Sequence, residues 1–219
     1  MEESMEVTEA PNRPRRARRL ASGGAIREAA ASLFLEKGYQ GTSMDDIAAA
    51  ASVSKQTIYT HFANKEELFT DLVLGNAERV AEFTGTIAQT LAAAADLESG
   101  LRQVARLYIH FVIRPEVLRL RRLVVGEAGR FPEVARTYYE MVPERVYAGL
   151  AALIKELADQ GRLRVDDPLL AAHHLAWLIL GLPLDRGMFY ATDATGRDED
   201  LDQVADAAVR VFLAAYGAT

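Results

Sequence analysis

Apolar and polar positions follow a helical period along nearly the whole chain. Between residues 24 and 37, Ile26, Ala29, Ala30, Leu33 and Phe34 form one apolar stripe, and Gly38 stands where a left-handed residue ends a helix. Met44, Ile47, Ala48 and Ala51 then recur at i, i+3, i+4 and i+7. Ser43 before them and Asp46 three residues on make a capping box. Ser52, Val53 and Ser54 read as a tight turn, with Ser54 capping a second short helix and Val53 and Ile58 placed as a hydrophobic staple. Ile58 and Phe62, four apart, point inward together. Gln56 and Thr60 therefore point outward, with Thr57 and Tyr59 on the flanks. Asn64, with Glu67 three residues on, caps a third helix that starts at Lys65 and is expected to run toward Ala95.

The same period continues to the end of the chain. Leu97 to Ile113 carries Leu101, Val104, Ala105, Tyr108 and Val112 on one stripe. Pro115 opens a helix toward Gly126, and Pro132 opens one expected to continue to near Gly161. Asp167-Pro168 caps a helix that is apolar on nearly all sides, from Leu169 through Trp177 to Leu182, and Pro183 should kink or end it. Asp193 to Asp200 reads as a polar loop, and Leu201, Val204, Ala205, Ala208, Val209, Phe212 and Leu213 share the stripe of a last helix. No period of two and no internal repeat appears, so the expected class is all-α.

Two short helices joined by a tight turn, the second polar and cationic outside, form a helix-turn-helix spanning 43–62, whose second helix enters the DNA major groove. Its outward face holds an amide, two hydroxyls and a phenol, with Lys55 at its start and no acid. Lys65 stands at a helix N-terminus, where the dipole disfavours a cation; a bound phosphate would reverse that cost.

The run Gly38-Tyr39, Thr42-Ser43-Met44, Ile47-Ala48, Val53-Ser54-Lys55, Ile58-Tyr59, His61-Phe62, Lys65-Glu66 and Leu68-Phe69 resembles the TetR family of bacterial transcriptional regulators, over roughly 20–80. One departure is Ser52, where the family usually has Gly; positive φ there would suit Ser less well. Arg119 to Arg145, with Glu127-Ala128 and Arg130-Phe131-Pro132-Glu133, resembles the C-terminal domain of an AefR-like subgroup. The resemblance implies three parts: an arm over 1–19, a three-helix DNA-binding head over 20–80, and a helical ligand-binding and dimerisation domain over 81–219. It implies a repressor released from its operator by a small molecule, and the apolar bias of the candidate pocket suggests a hydrophobic or amphipathic one. It also implies that Thr42, Ser43, Tyr59, His61 and Lys65 meet mostly phosphates.

Charge sharpens this picture. The chain of 219 residues is net −6, which by itself argues against DNA. The charge is unevenly spread: 1–10 hold four acids and no base, 11–70 hold nine Lys/Arg against six Asp/Glu, and 71–219 are acidic again. Arg13, Arg15, Arg16, Arg18 and Arg19 make the arm a candidate for phosphates or the minor groove. No cysteine is present, which excludes disulfides and thiolate metal sites and fits a reducing cytoplasm. The longest apolar run, Leu169 to Leu184, falls short of the ~20 residues of a membrane span.

The candidate DNA-contact residues are therefore Thr42, Ser43, Ser54, Lys55, Gln56, Thr57, Tyr59, Thr60, His61 and Lys65. Gln56 suits adenine, and Thr57 or Thr60 a thymine methyl. The candidate ligand residues are Tyr108, His110, Phe111, Tyr138, Met141, His173, Trp177 and Phe189. His173 and His174 diverge by about 100° on a helix and cannot readily share a metal, so neither metal nor cofactor is expected. The partners expected are palindromic operator DNA, an effector and a second copy of the chain through the last two long helices. No nucleophile-elbow, zinc-protease or nucleotide-loop motif is present, so no enzyme is expected. The competing class is an architectural DNA-binding protein without effector.

Overall fold

A computed structural model describes residues 13–75, 77–190 and 200–218, with the side chains of 13–18, 77 and 78 left aside. The expected loop over Asp193 to Asp200 lies, but for Asp200, outside the described residues. Eleven helices are described: α1 Arg13–Lys37, α2 Met44–Ala50, α3 Lys55–His61, α4 Lys65–Leu74, α5 Ala77–Ala93, α6 Leu97–Val112, α7 Pro115–Glu127, α8 Pro132–Met141, α9 Pro143–Asp159, α10 Pro168–Phe189 and α11 Leu201–Tyr216. No strand occurs among the described residues; an isolated bridge pairs Leu163 with Gly217. The chain divides into two compact units, Met1–Leu72 and Val73–Thr219. That division falls inside α4, earlier than the expected boundary at 80.

Three helix boundaries differ from the periodicity reading. The first helix starts at Arg13, not Gly24, so 13–19 is helix and not a loose arm. Arg and Ala are good helix formers, and Pro14 sits in the first turn, where its missing N–H costs nothing. The helix from Lys65 ends at Leu74, with Gly75 in a turn, and α5 begins at Ala77; Gly75 and Asn76 are weak helix formers. The helix from Pro132 ends at Met141, and Pro143 opens α9 after Val142, whose φ of −115° and ψ of −76° depart from helical values. Pro183, in contrast, lies buried inside α10, which continues to Phe189.

The head is built on a small core. Ile26, Ala30 and Phe34 of α1, Ile47 and Ala48 of α2, Ile58 of α3 and Leu68 and Phe69 of α4 are all buried. Phe34, Tyr39 and Phe69 pack ring on ring, with centroids 5.1–5.7 Å apart. Gly38 ends α1 at φ +72°, as its sequence position suggests. Gly41 is required for another reason: a Cβ there would lie 2.4 Å from the Lys37 carbonyl oxygen. Between α2 and α3, Ser52 holds φ +54°.

In the body, α6 packs against α5, α7, α10 and α11, and α10 against α6, α7, α9 and α11. Leu101, Val104, Ala105, Tyr108, Ile109 and Val112 bury the expected face of α6. Ala171, Ala172 and Ala176 let α10 approach its neighbours closely. By length and composition α10 would pass for a membrane span, but its buried face makes it a core helix. Outside the core, Arg106 makes a two-pronged contact with Asp206 at 2.9 and 2.7 Å, and His110 meets Asp202 at 2.8 Å, cross-linking α6 and α11.

Ser52→Gly tests the strained turn. A left-handed non-glycine residue costs roughly 1 kcal/mol, less the extra freedom Gly gains when unfolded. The substitution is expected to slow hydrogen exchange of the α3 amides, and faster exchange would contradict this account of the turn.

Candidate nucleic-acid interface

The α2–turn–α3 unit is fixed at each joint by its own polar side chains. Ser43 Oγ accepts the Asp46 N–H at 3.1 Å, and the Asp46 carboxylate accepts the Ser43 N–H at 3.0 Å. The Ser43 hydroxyl also donates to that carboxylate at 2.6 Å, and this bond first, then the one from the Ser43 N–H, holds the Asp46 carboxyl below its usual range. Ser54 Oγ accepts the Thr57 N–H at 3.1 Å and shares a 2.8 Å contact with the Thr57 hydroxyl. Ile58 and Phe62 are buried, which fixes the rotation of α3 and leaves Lys55, Gln56, Tyr59 and Thr60 exposed on its outer side. Thr57 is half-buried. The Thr60 hydroxyl donates to the Gln56 backbone carbonyl at 2.7 Å, and the Gln56 side chain is exposed. Lys55 pairs with Asp45 at 2.5 Å, both well exposed; such a pair is weak and screened, so a phosphate can displace the carboxylate.

One of the expected phosphate contacts is buried, and a second has partners inside the head. Thr42 is 2% exposed, and its hydroxyl lies 2.9 Å from the Gly38 carbonyl and 3.2 Å from that of Leu33, the end of α1. Its side chain is thereby withdrawn from any DNA face, which corrects the expectation for Thr42. Lys65 donates to the carbonyls of Tyr39 and Thr42, both at 2.8 Å, and its ammonium lies 4.2 Å above the Tyr39 ring. Its cationic charge at the start of α4 is thus balanced inside the head, and it ties the Tyr39–Thr42 loop to α4. It still lines a shallow cleft of about 470 Å³ with Ser43, Asp45 and Tyr59.

His61 is also held. Its Nε2 lies 2.8 Å from the Ser22 hydroxyl of α1. Burial pushes its pKa down, and the charges of Arg19 and Arg27 push the same way. These groups line a second cleft, of about 340 Å³, with Leu20, Gly23 and Phe62. Arg27 pairs with Asp71 at 2.6 Å and covers the Phe62 ring. Arg19 is exposed beside this cleft; the side chains of Arg13, Arg15, Arg16 and Arg18 lie outside the described residues.

The expected ligand residues of the body scatter. Tyr108 and Tyr138 are buried, and Phe111 stacks on Phe83 with centroids 4.1 Å apart. Met141 is half-buried, and His173 meets the Tyr147 ring edge-on at 4.9 Å. His110 is exposed on the Asp202 pair and does not face the interior. Trp177 is 53% and Phe189 80% exposed, so neither lines the core. The reason is that α10 buries one side only and leaves an apolar outer side. Two residues whose charge bears on Tyr108 escaped the reading: Tyr147, buried on α9, and Arg121 on α7. Burial raises all three phenols, and the charge of Arg121 opposes it in each. The signal for Tyr147 was its place one turn after Pro143; Arg121 was hidden among the arginines at 119, 121 and 122.

The head over 26–72 matches the family profile described as bacterial regulatory proteins of the tetR family, and 99–218 matches the C-terminal domain of AefR-like transcriptional repressors. The chain belongs to the TetR family of bacterial transcriptional regulators. Relatives agree along most of its length. The HTH-type transcriptional repressor AcnR of Corynebacterium efficiens is 30% identical over 83% of this chain and 87% of its own. A putative TetR-family regulator of Mesorhizobium loti has a solved structure with TM-score 0.82 and 39% identity, covering 91% of this chain and 98% of that one. The flavonoid-responsive regulator FrrA follows at TM-score 0.66 and 33% identity, covering 90% and 97%. The family is one of regulators, not of enzymes, and the effector-free architectural alternative is not favoured by these matches.

Two outcomes test the head. His61 has its folded pKa depressed below the unfolded value of about 6.5, so below that pH the unfolded chain binds the extra proton. The head is therefore expected to lose stability as pH falls below about 6.5, and His61→Gln to remove this part of the loss; identical pH profiles for both proteins would contradict it. Lys65→Ala is expected to lower the unfolding midpoint of the head even without DNA, because two carbonyls lose their donor. An unchanged midpoint would return Lys65 to a purely DNA-facing role.

Proposed function

We propose that this TetR-family chain represses transcription as a homodimer on a palindromic operator, working in the cytoplasm, and is released by a small hydrophobic or amphipathic effector bound in the body. The observation that carries this reading is the exposed side of α3, where Gln56, Tyr59 and Thr60 stand beside Lys55 without an acid on the helix. Gln56 reads a base, Thr57 or Thr60 a thymine methyl, and Ser43, Ser54, Lys55, Tyr59 and the cleft around His61 and Arg19 meet phosphates. The repressor description of the matched body domain and the flavonoid-responsive FrrA support an effector-controlled repressor.

For the dimer, α10 carries Leu169, Leu170, Trp177, Leu178 and Leu182 exposed, and α11 adds Val211. So large an apolar surface on a soluble body fits a second copy of itself. Two-fold pairing presents two α3 helices to half-sites one helical turn, ~34–36 Å, or a multiple apart. An obligate interface of this kind buries more than roughly 2,000 Å².

Titrations against operator and random DNA at several salt concentrations test the head. Gln56→Ala is expected to cost ~1–3 kcal/mol on the operator and little on random DNA. Equal losses on both would remove Gln56 from base reading. Sedimentation tests the dimer: the chain should run as a dimer at micromolar concentration, and Leu170→Glu should shift it toward monomer. A stable wild-type monomer would count against the interface.

A further inference from the structure

The end of α3 rests against α1, and the polar groups between them fix the state of one imidazole. Ser22 Oγ donates its single proton to the Arg19 carbonyl at 3.0 Å and stands 2.8 Å from His61 Nε2. With that proton spent, the serine oxygen accepts, so Nε2 carries the hydrogen of the neutral ring. Nδ1 is left with a lone pair. Burial, and after it the charges of Arg19 and Arg27, favour the neutral ring in the free head.

The Nδ1 edge lies beside the bare face of Gly23. A Cβ on Gly23 would stand 3.4 Å from both His61 Nδ1 and Cε1, and 3.5 Å from Arg27 Nη1. The two nitrogens are therefore at most about 7 Å apart, a gap that two oxygens of one phosphate group bridge at ordinary hydrogen-bond lengths. Arg27 meets Asp71 through Nε and Nη2, at 2.6 and 3.3 Å, which leaves Nη1 outside that pair. The bare face belongs to the cleft of about 340 Å³ that Arg19, Leu20 and Phe62 also line. The acids of the packed helices are engaged: Asp71 of α4 with Arg27, and Asp45 and Asp46 of α2 with Lys55 and Ser43.

An anion at this place meets two unlike partners. Arg27 attracts it at any pH, whereas a neutral His61 turns the Nδ1 lone pair toward it. Protonation replaces that repulsion with a second charge-assisted donor. Moving the ring hydrogen to Nδ1 instead would oblige Ser22 to turn its proton away from the Arg19 carbonyl. Binding of the anion and binding of a proton therefore support one another. We infer that the bare face of Gly23 is a proton-coupled phosphate subsite: one backbone phosphate of the bound duplex sits on Arg27 Nη1 and His61 Nδ1, and a proton from solvent enters His61 with it. This rests on the reading of the head as a DNA-binding unit that meets phosphates near His61, and it adds that DNA affinity is linked to pH.

Calorimetric titration of the full chain, in buffers of different ionisation enthalpy, counts the protons taken up. The probes are a duplex selected by the protein from a random-sequence library and a shuffled copy of it. Uptake is expected to approach one proton per head on both, since phosphates carry no sequence. The free ring titrates below about 6.5 and the occupied ring should titrate above it. Affinity should therefore rise as pH falls across that value, by up to about tenfold per pH unit per head. Gly23→Ala should remove the uptake and weaken binding to both duplexes, because the methyl group covers the face. Its contacts are of ordinary length and Ala favours a helix, so the unfolding midpoint should not fall. His61→Gln should remove the uptake as well. No uptake by the wild type, or uptake that survives either substitution, overturns the inference. Sulfate separates the sources: a His61 NMR shift with sulfate and none with duplex overturns the assignment to the DNA backbone. Uptake without preference for the selected duplex upholds the subsite and removes the repressor reading, whereas preference without uptake does the reverse.

Discussion

The head depends on how one ammonium group is held. Lys65 spans from the first turn of α4 to the carbonyls of Tyr39 and Thr42, while its charge rests on the Tyr39 ring. Helices of seven residues, as α2 and α3 are, have no stability of their own. They persist because their few apolar side chains reach a common core and because the loop before α2 is closed. Thr42 closes that loop from the other side by satisfying the end of α1. The outward rotation of α3 follows from this arrangement, since Ile58 and Phe62 can enter the core in one register only. Specific DNA reading needs side chains held to within a fraction of an ångström, and here the holding groups lie one layer beneath the exposed side of α3.

The body obeys a different constraint. α10 is apolar on nearly all sides, and a single chain can bury one side of it. The buried side uses alanines to let α6, α9 and α11 approach, and the outer side keeps Trp177 and several leucines in solvent. Between α6 and α11, the charged series Glu98, Arg102, Asp206, Arg106 and Asp202 holds α11 in register. Most of these groups are substantially exposed, so they specify register more than they add stability.

Much of this was legible in the sequence. The caps read at Ser43, Ser54, Asn64 and Asp167 all carry side-chain hydrogen bonds, and the apolar stripes of α2, α3, α6 and α11 are buried as their period requires. What escaped lies where a local rule is overruled by context. Gly75 and Pro143 divide runs whose apolar period continues across the break. Thr42 looks like any hydroxyl near a helix start, and its burial depends on α1, which periodicity does not place. Aromatic content marked Trp177 and Phe189 for the interior, although an all-apolar helix must also have an outer side. Arg121 sat in a cluster of like residues, and nothing in the pattern separates it from Arg119 and Arg122.

The position of Trp177 has a practical side. It is the one tryptophan in the chain, and it stands half in water on the outer side of α10. Its indole emission therefore reports on a single patch of surface, free of overlapping signals from any other indole. If two copies of α10 come together there, dilution should carry that emission to longer wavelength as the ring becomes wet. The protein thus carries an intrinsic optical gauge of its own association, readable without any label.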